Sequence, residues 1–330
     1  MRVVDRVDEF QRKHAVVGFP LAVIYKYFDD FGGYVAAMLT YYGFVSLFPL
    51  LMLLSTALGI LLTGHPDWQE RILNSAISEF PVVGDQLKAT GTISGSPMGI
   101  ALGVIISLYG GLGVGQALQY ASNAAWMVPR NSRPNPFLSR GRGLLLIVTV
   151  GLLLIATTAL STLASTDVTW LGTTVKTLTP VITIVLNAGA FLTAFKISTA
   201  RSTTLRQHLP GAIIAGLLWQ ALQQFGVFYV GRVVQHATSI NAVFAVVLGL
   251  IAFLYLAANL ALYCIEINVV SSRHLYPRAL LTPFTDNVVL TDGDRASYEG
   301  MARAQRLKGY EKISVQWGAH RATPPRHLDD

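Results

Sequence analysis

Charge is scarce in this chain. Only 13% of its 330 residues are Asp, Glu, Lys or Arg, about half the share of a soluble domain, which excludes a water-soluble globule as the main architecture. Cysteine is scarcer still. Cys264 stands alone, so no internal disulfide can form, and its place in an apolar run marks a small packing residue rather than a reactive thiol. Catalytic and metal-ligand spacings are missing too. The seven histidines (His14, His65, His208, His236, His274, His320, His327) are scattered, and there is no HExxH, paired-cysteine or GxSxG pattern. An enzyme therefore has little support, and neither metal nor cofactor is expected. No ATP-binding motif occurs, so any transport would use gradients, passive exchange or a partner. The opening MRVVDRVDEFQRKH lacks the apolar centre of roughly 7–15 residues that a cleavable signal needs, and none is expected.

What the chain has is long apolar runs. Asn241 to Val270 holds one charge, Glu266, in thirty positions, longer than the ~20 residues a helix needs to cross a bilayer. Five further runs bring the spans to six: Val35 to Leu62, Met98 to Val128, Gly143 to Ala164, Thr179 to Phe195, Leu209 to Val230, and Ala242 to Val270 within the run above. The fourth is the weakest, with Asn187 at its centre. The net charge of +7 might suggest nucleic acid, but position argues against that partner. Arg130, Arg133, Arg140 and Arg142 lie between spans two and three. Lys196, Arg201, Arg206 and His208 lie between four and five, and Arg273, His274 and Arg278 follow span six. The positive-inside rule places these loops and both termini in the cytoplasm, which requires an even number of spans.

The expectation is an all-α polytopic membrane protein with six transmembrane helices and interfacial amphipathic helices. Residues 1–34 form N-terminal interfacial helices, 35–270 the membrane domain and 271–330 a polar cytoplasmic tail. Leu21, Ile24, Tyr27, Phe28 and Phe31 repeat at helical spacing, with Lys26, Asp29 and Asp30 between them, as a helix in the membrane interface would have it. Asp67 and Glu70 have capping-box spacing at the head of an outer-surface helix reaching Phe80, before a GTISGSP linker. The tail offers a short helix from Asp294 to Lys308, acidic at its start and basic at its end.

Polar groups inside the spans are the candidate functional residues, because lipid does not tolerate them facing outward. Tyr42, Ser46 and Pro49 share a face of span one, and Pro49 leaves the carbonyl of Val45 without its helical donor. Either a pathway wall or ordinary packing accounts for this face. The glycines of YGGLGVGQALQYASNAAW suit close helix approach better than a broken helix. Gln116, Gln119 and Asn123 continue a polar face beyond them. Gly216, Gln220 and Gln224 share a face of span five, as interhelical glue or as substrate contacts. Asn241, Asn259 and Glu266, separated by 18 and 7 residues, fall within about 20° of one line along span six. Glu266 is the strongest single candidate. It is either a proton carrier or paired with a loop cation, for which Arg142 or Lys196 is the expectation.

Taken together, GGYVAAMLTYYGFVSLFPLL, ALQYASNAAW with its Arg-rich sequel, HLPGAIIAGLLWQALQQF and INAVFAVVLGLIAFLYLAANLALYCIEINVV resemble the YihY/BrkB family of bacterial inner-membrane proteins, especially its YhjD-like members. The resemblance runs from about Gly32 to Val270. One departure stands out: VGRVVQHATSINA replaces the family's YG turn before the last span. The family once carried the label ribonuclease BN, regarded as a misassignment, and this chain has no nuclease metal cluster. The resemblance implies inner-membrane transport of a lipid-like or amphipathic envelope molecule, with the polar faces above lining the pathway. The competing reading is a scaffold for the envelope without transport. Membrane lipids and an amphipathic substrate are the implied partners, and a homo-oligomer is left open.

Overall fold

The computed structural model describes residues 2–61, 67, 70, 97–165, 172–229, 239–286 and 288–318. Among these, all regular structure is helical. Two short N-terminal helices, α1 (Arg2–Lys13) and α2 (Ala15–Asp29), precede α3 (Gly32–Leu61) and α4 (Pro97–Ala125). A single 3-10 turn at Arg130–Ser132 leads into α5 (Pro136–Ser165), α6 (Gly172–Ser198), α7 (Leu205–Tyr229) and α8 (Ser239–Arg273), and α9 (Asp292–Ala304) closes the tail. The helix expected between Asp67 and Phe80 and the linker after it lie outside the described residues, apart from Asp67 and Glu70.

Helices α3 to α8 run 25 to 35 residues, about 37–52 Å at 1.5 Å per residue, against a hydrocarbon core of ~30 Å. Among the described residues, Pro136–Leu153, Val181–Ser198, Leu205–Phe228 and Phe244–Arg273 are apolar enough to cross a membrane. The six helices pack in chain order, each on the next, and α8 returns to α3. The result is a closed ring, with α4 also reaching across to α6 and α8. Leu144, Leu145, Val148, Val185, Leu217 and Leu248 stay exposed on its outside, where a bilayer supplies the apolar surroundings that water would not.

Close approach inside the ring depends on small residues, since lipid removes the hydrophobic drive between helices and leaves packing to hold them. A Cβ at Gly110 of α4 would lie 2.6 Å from the Cβ of Ser46 on α3, and one at Gly115 would lie 2.8 Å from the Cα of Gly143 on α5. Gly113 faces the ring of Tyr42, and Gly211 of α7 lies against the Cys264 carbonyl of α8. Helix α4 runs unbroken through its glycines, so they serve packing. Gly110→Val will force α3 and α4 apart and lower stability by about 1–3 kcal/mol. The shift is readable as an earlier thermal transition in detergent, with Gly151→Val, where nothing lies within 4 Å, as the neutral comparison.

The charged end of the ring carries a folded cap rather than a loose tail. Asp8 of α1 accepts from the backbone of Leu280 at 2.8 Å, and the Gln11 amide donates to the Arg278 carbonyl at 2.6 Å. Helix α9 starts two residues before its expected Asp294, and ends at Ala304 rather than Lys308. Thr291 caps it, forming a capping box with Asp294. Past its end, the Glu311 carboxylate accepts from Leu307 and Lys308 N–H groups and turns the chain away. Arg306 then donates to Asn131 at 3.1 Å, tying the tail to the loop after α4.

Candidate functional site

Two features at the cap end of the ring could carry function. The first is a buried charge cluster. Helix α2 presents Ile24, Phe28 and the following Phe31 outward, but Tyr27 of the same expected face is buried, and the helix's polar side meets protein instead of water. Lys26 is wholly buried and donates to Asp30 on the next turn. Its Nζ lies 3.9 Å from Oε2 of Glu266. Burial alone would lower the Lys26 pKa, but the carboxylates of Asp30 and Glu266 outweigh it and hold the ammonium above its ordinary value. One helical turn further along, Asp29 accepts from both terminal nitrogens of Arg278 at 3.1 Å. The Arg278 Nε donates to Asp294 at 2.5 Å, and the guanidinium sits between the rings of Tyr25 and Tyr298.

This corrects the expected partner of Glu266. Lys196 instead donates to Thr203, and Arg142 lies in the second turn of α5. Helix α8 packs mainly on α7, α3 and α2, so the cations of α5 and α6 lie round the ring from it, and α2 supplies the lysine. The rest of the stripe agrees. Asn259, two turns before Glu266, accepts from the Tyr27 hydroxyl, and Tyr27 stacks on Tyr263 with centroids 4.2 Å apart. The polar line of α8 faces α2. Asn241, at its other end, has no described side chain.

The second feature is a groove between α3 and α4 with a cavity of about 620 Å³. Phe31, Tyr34, Met38, Tyr42, Gln116 and Tyr120 are its principal walls. Its rim is open, with Phe31 66% and Tyr34 79% exposed, and its floor is closed by Ala117 at 3%. Phe31 holds φ at 56°, a left-handed conformation rare for an aromatic residue, in the turn that reverses the chain from α2 into α3. Above the inner end of the groove, the Arg133 guanidinium lies 5.8 Å from the Tyr120 ring centroid.

The polar faces read from the sequence are split by the packing. Tyr42 and Gln116 meet in the groove. Ser46 is buried, bonds back to the Gly43 carbonyl at 3.1 Å, and faces Gly110; Pro49 lies in α3 with its side chain outside the described set. Gln119 turns away to exchange hydrogen bonds with Ser139 of α5, and Asn123 accepts from the backbone of Ala200 at 2.8 Å. Gln220 is half-buried and Gln224 exposed on α7, away from the other candidates. Among the described residues no trio of His, Cys, Asp or Glu is placed to hold a metal ion. Lys26, Asp30 and Arg278 were missed as partners. Their signal was three charges inside an apolar amphipathic helix, and one arginine among several after the last span.

A family model described as virulence factor BrkB matches residues 23–285, most of the chain. The protein belongs to the BrkB family. Within this BrkB-family chain the match contains the groove, Lys26, Glu266 and Arg278, while α1 and α9 lie outside it. Comparison with curated proteins and with solved structures finds no match.

Proposed function

We propose that this membrane protein is a six-span protein of the bacterial inner membrane, with both termini cytoplasmic, that moves a lipid-like or amphipathic envelope molecule and catalyses no reaction. The observation that carries the reading is the groove. Its volume falls in the ~300–1,000 Å³ range of small-molecule sites, and its walls are aromatic with one amide, Gln116. That mixture suits a molecule with an apolar body and a polar end. Helices α3 and α4, of 30 and 29 residues, are long enough to join the four apolar helices as spans. The orientation rests on the arginines gathered at the cap end. Reporter fusions at Asn135 and Ser202 will report cytoplasm, and a reversal at either would overturn the topology.

Transport is tested with the purified protein in vesicles carrying a fluorescent phospholipid and an external reductant. Wild type will expose inner-leaflet lipid at least about tenfold faster than protein-free vesicles, the effect of ~1.4 kcal/mol on a barrier. Gln116→Trp, which fills the groove from an exposed position, will remove the excess. The second reading, a scaffold without transport, draws on the interhelical bonds of Gln119, Asn123, Asn259 and Glu266. Wild-type flux no faster than that of empty vesicles would establish it.

A further inference from the structure

We propose that the groove between α3 and α4 holds one anionic phospholipid from the cytoplasmic leaflet, with an acyl chain against Met38 and Ala117 and the phosphate on Arg133 and Arg130. The occupant is argued from charge. The two fully buried cations have carboxylates: Lys26 has Asp30 and Glu266, and Arg278 has Asp29 and Asp294; Arg273 is bonded to the Trp126 carbonyl and the Met127 sulfur instead. Arg130 and Arg133 have no carboxylate within ion-pair distance among the described residues. Arg133 is oriented by one bond, from Nε to the Val128 carbonyl at 3.1 Å, and by the face of Tyr120. Neither of its terminal nitrogens has a carboxylate partner among the described residues, so both donors remain for an anion. Burial, with the like charge of Arg130, keeps its guanidinium below the ordinary arginine pKa, despite Tyr120 and the more distant Asp30. An arginine so placed lacks an anion, and a phosphate accepts its paired donors with favourable geometry.

Apolar complementarity completes the argument. Tyr120 belongs to the groove wall and to the Arg133 contact alike, so head and chain sites are continuous. The exposed rim ring of Tyr34 has the amphipathic character that suits the boundary of a bilayer. The groove opens sideways, where a lipid could enter without crossing the ring. This inference deepens the lipid-handling reading above by naming a head-group class, but its test involves no flux.

The full-length protein is titrated in detergent with phosphatidylglycerol and, separately, phosphatidylcholine, and bound lipid is counted by native mass spectrometry. One phosphatidylglycerol will bind per chain with at least about tenfold preference over phosphatidylcholine, ~1.4 kcal/mol. Arg133→Gln will remove that preference, Arg133→Lys will keep part of it, and Arg130→Gln, at an exposed site outside the packing, will weaken it. Gln116→Trp will reduce binding of both lipids. Equal binding of the two lipids by wild type, an undiminished preference in Arg133→Gln protein of unchanged thermal transition, or displacement by millimolar inorganic phosphate would overturn the proposal. Selective binding without vesicle flux would leave this site standing and remove the transport reading. Flux without head-group preference would do the reverse.

Discussion

Replacing Arg278 with alanine will cost the protein about 3–5 kcal/mol, the usual effect of stripping one partner from a buried ion pair. Its guanidinium is fully buried and holds carboxylates from two separate segments, Asp29 at the end of α2 and Asp294 in the first turn of α9. Asp294 also accepts from the backbone of Ala279 and Thr291, so its displacement will loosen the α9 cap. The check is a lower thermal transition in detergent, together with protease cleavage between residues 278 and 292 that wild type resists. Arg278→Lys will recover part of the loss, because a point charge cannot bond both carboxylates in a fork. The defect will also depend on pH. Burial already raises the Asp29 carboxyl above its ordinary value despite Arg278. A raised acid contributes stability that is complete below the unfolded value and lost as pH rises through the folded one. Without Arg278, which holds it down, the Asp29 carboxyl rises further, so the variant gains more from acidification than wild type and the gap will narrow. A gap independent of pH, with an intact cap, would show that Arg278 is held by packing alone.

Lys26→Met will destabilise the protein by a similar amount, about 3–5 kcal/mol, by leaving Asp30 and Glu266 buried without a counter-charge. The decisive measurement is a cycle. In wild type, Glu266→Gln will lower stability. In Lys26→Met protein, the same change will raise it, because it removes an orphaned carboxylate. Two destabilisations that simply add would refute the pairing. Titration cannot replace this cycle. With its pKa above the ordinary lysine value, Lys26 supplies its full stabilisation below that value and loses it only as pH rises through the folded one. If Glu266→Gln leaves stability unchanged yet abolishes a pH-dependent flux, Glu266 is a proton carrier. Asn268 is no neutral comparison for it. That side chain is fully buried and accepts from the Gly211 backbone at 2.7 Å.

The long helices were legible because apolar runs of spanning length leave few alternatives, though α5 and α6 start seven residues before the expected Gly143 and Thr179, at Pro136 and Gly172. Helix α8 extends three residues past Val270, to Arg273. The stripe through Asn259 and Glu266 was legible as a period, but its partner was not. A helical repeat tells which residues share a face, whereas the neighbour, Tyr27 and Lys26 of α2, lies more than 230 residues away in the chain. Arg278 looked like one more solvated cation of a basic tail. Only the return of α9 encloses it. The groove had no sequence signal of its own, since it arises from the Gly110 and Gly113 contacts and from the turn at Phe31. Gln116, Gln119 and Asn123 share a face at low resolution, yet they diverge to a groove, α5 and the α6–α7 loop respectively.

The ring order has a consequence for biogenesis. A helix emerging from the insertion machinery finds its neighbour already present, from α4 through α8, so most of the membrane domain can assemble as it is made. The contact that closes it joins the first long helix to the last. Until α8 arrives, Lys26, Asp29 and Asp30 can remain hydrated at the membrane surface with no penalty for unpaired charge. Glu266 and then Arg278 reach them only near the end of synthesis. The two ion pairs thus act as a completion latch, joining the first-made segment to the last and leaving a prematurely ended chain open along one side.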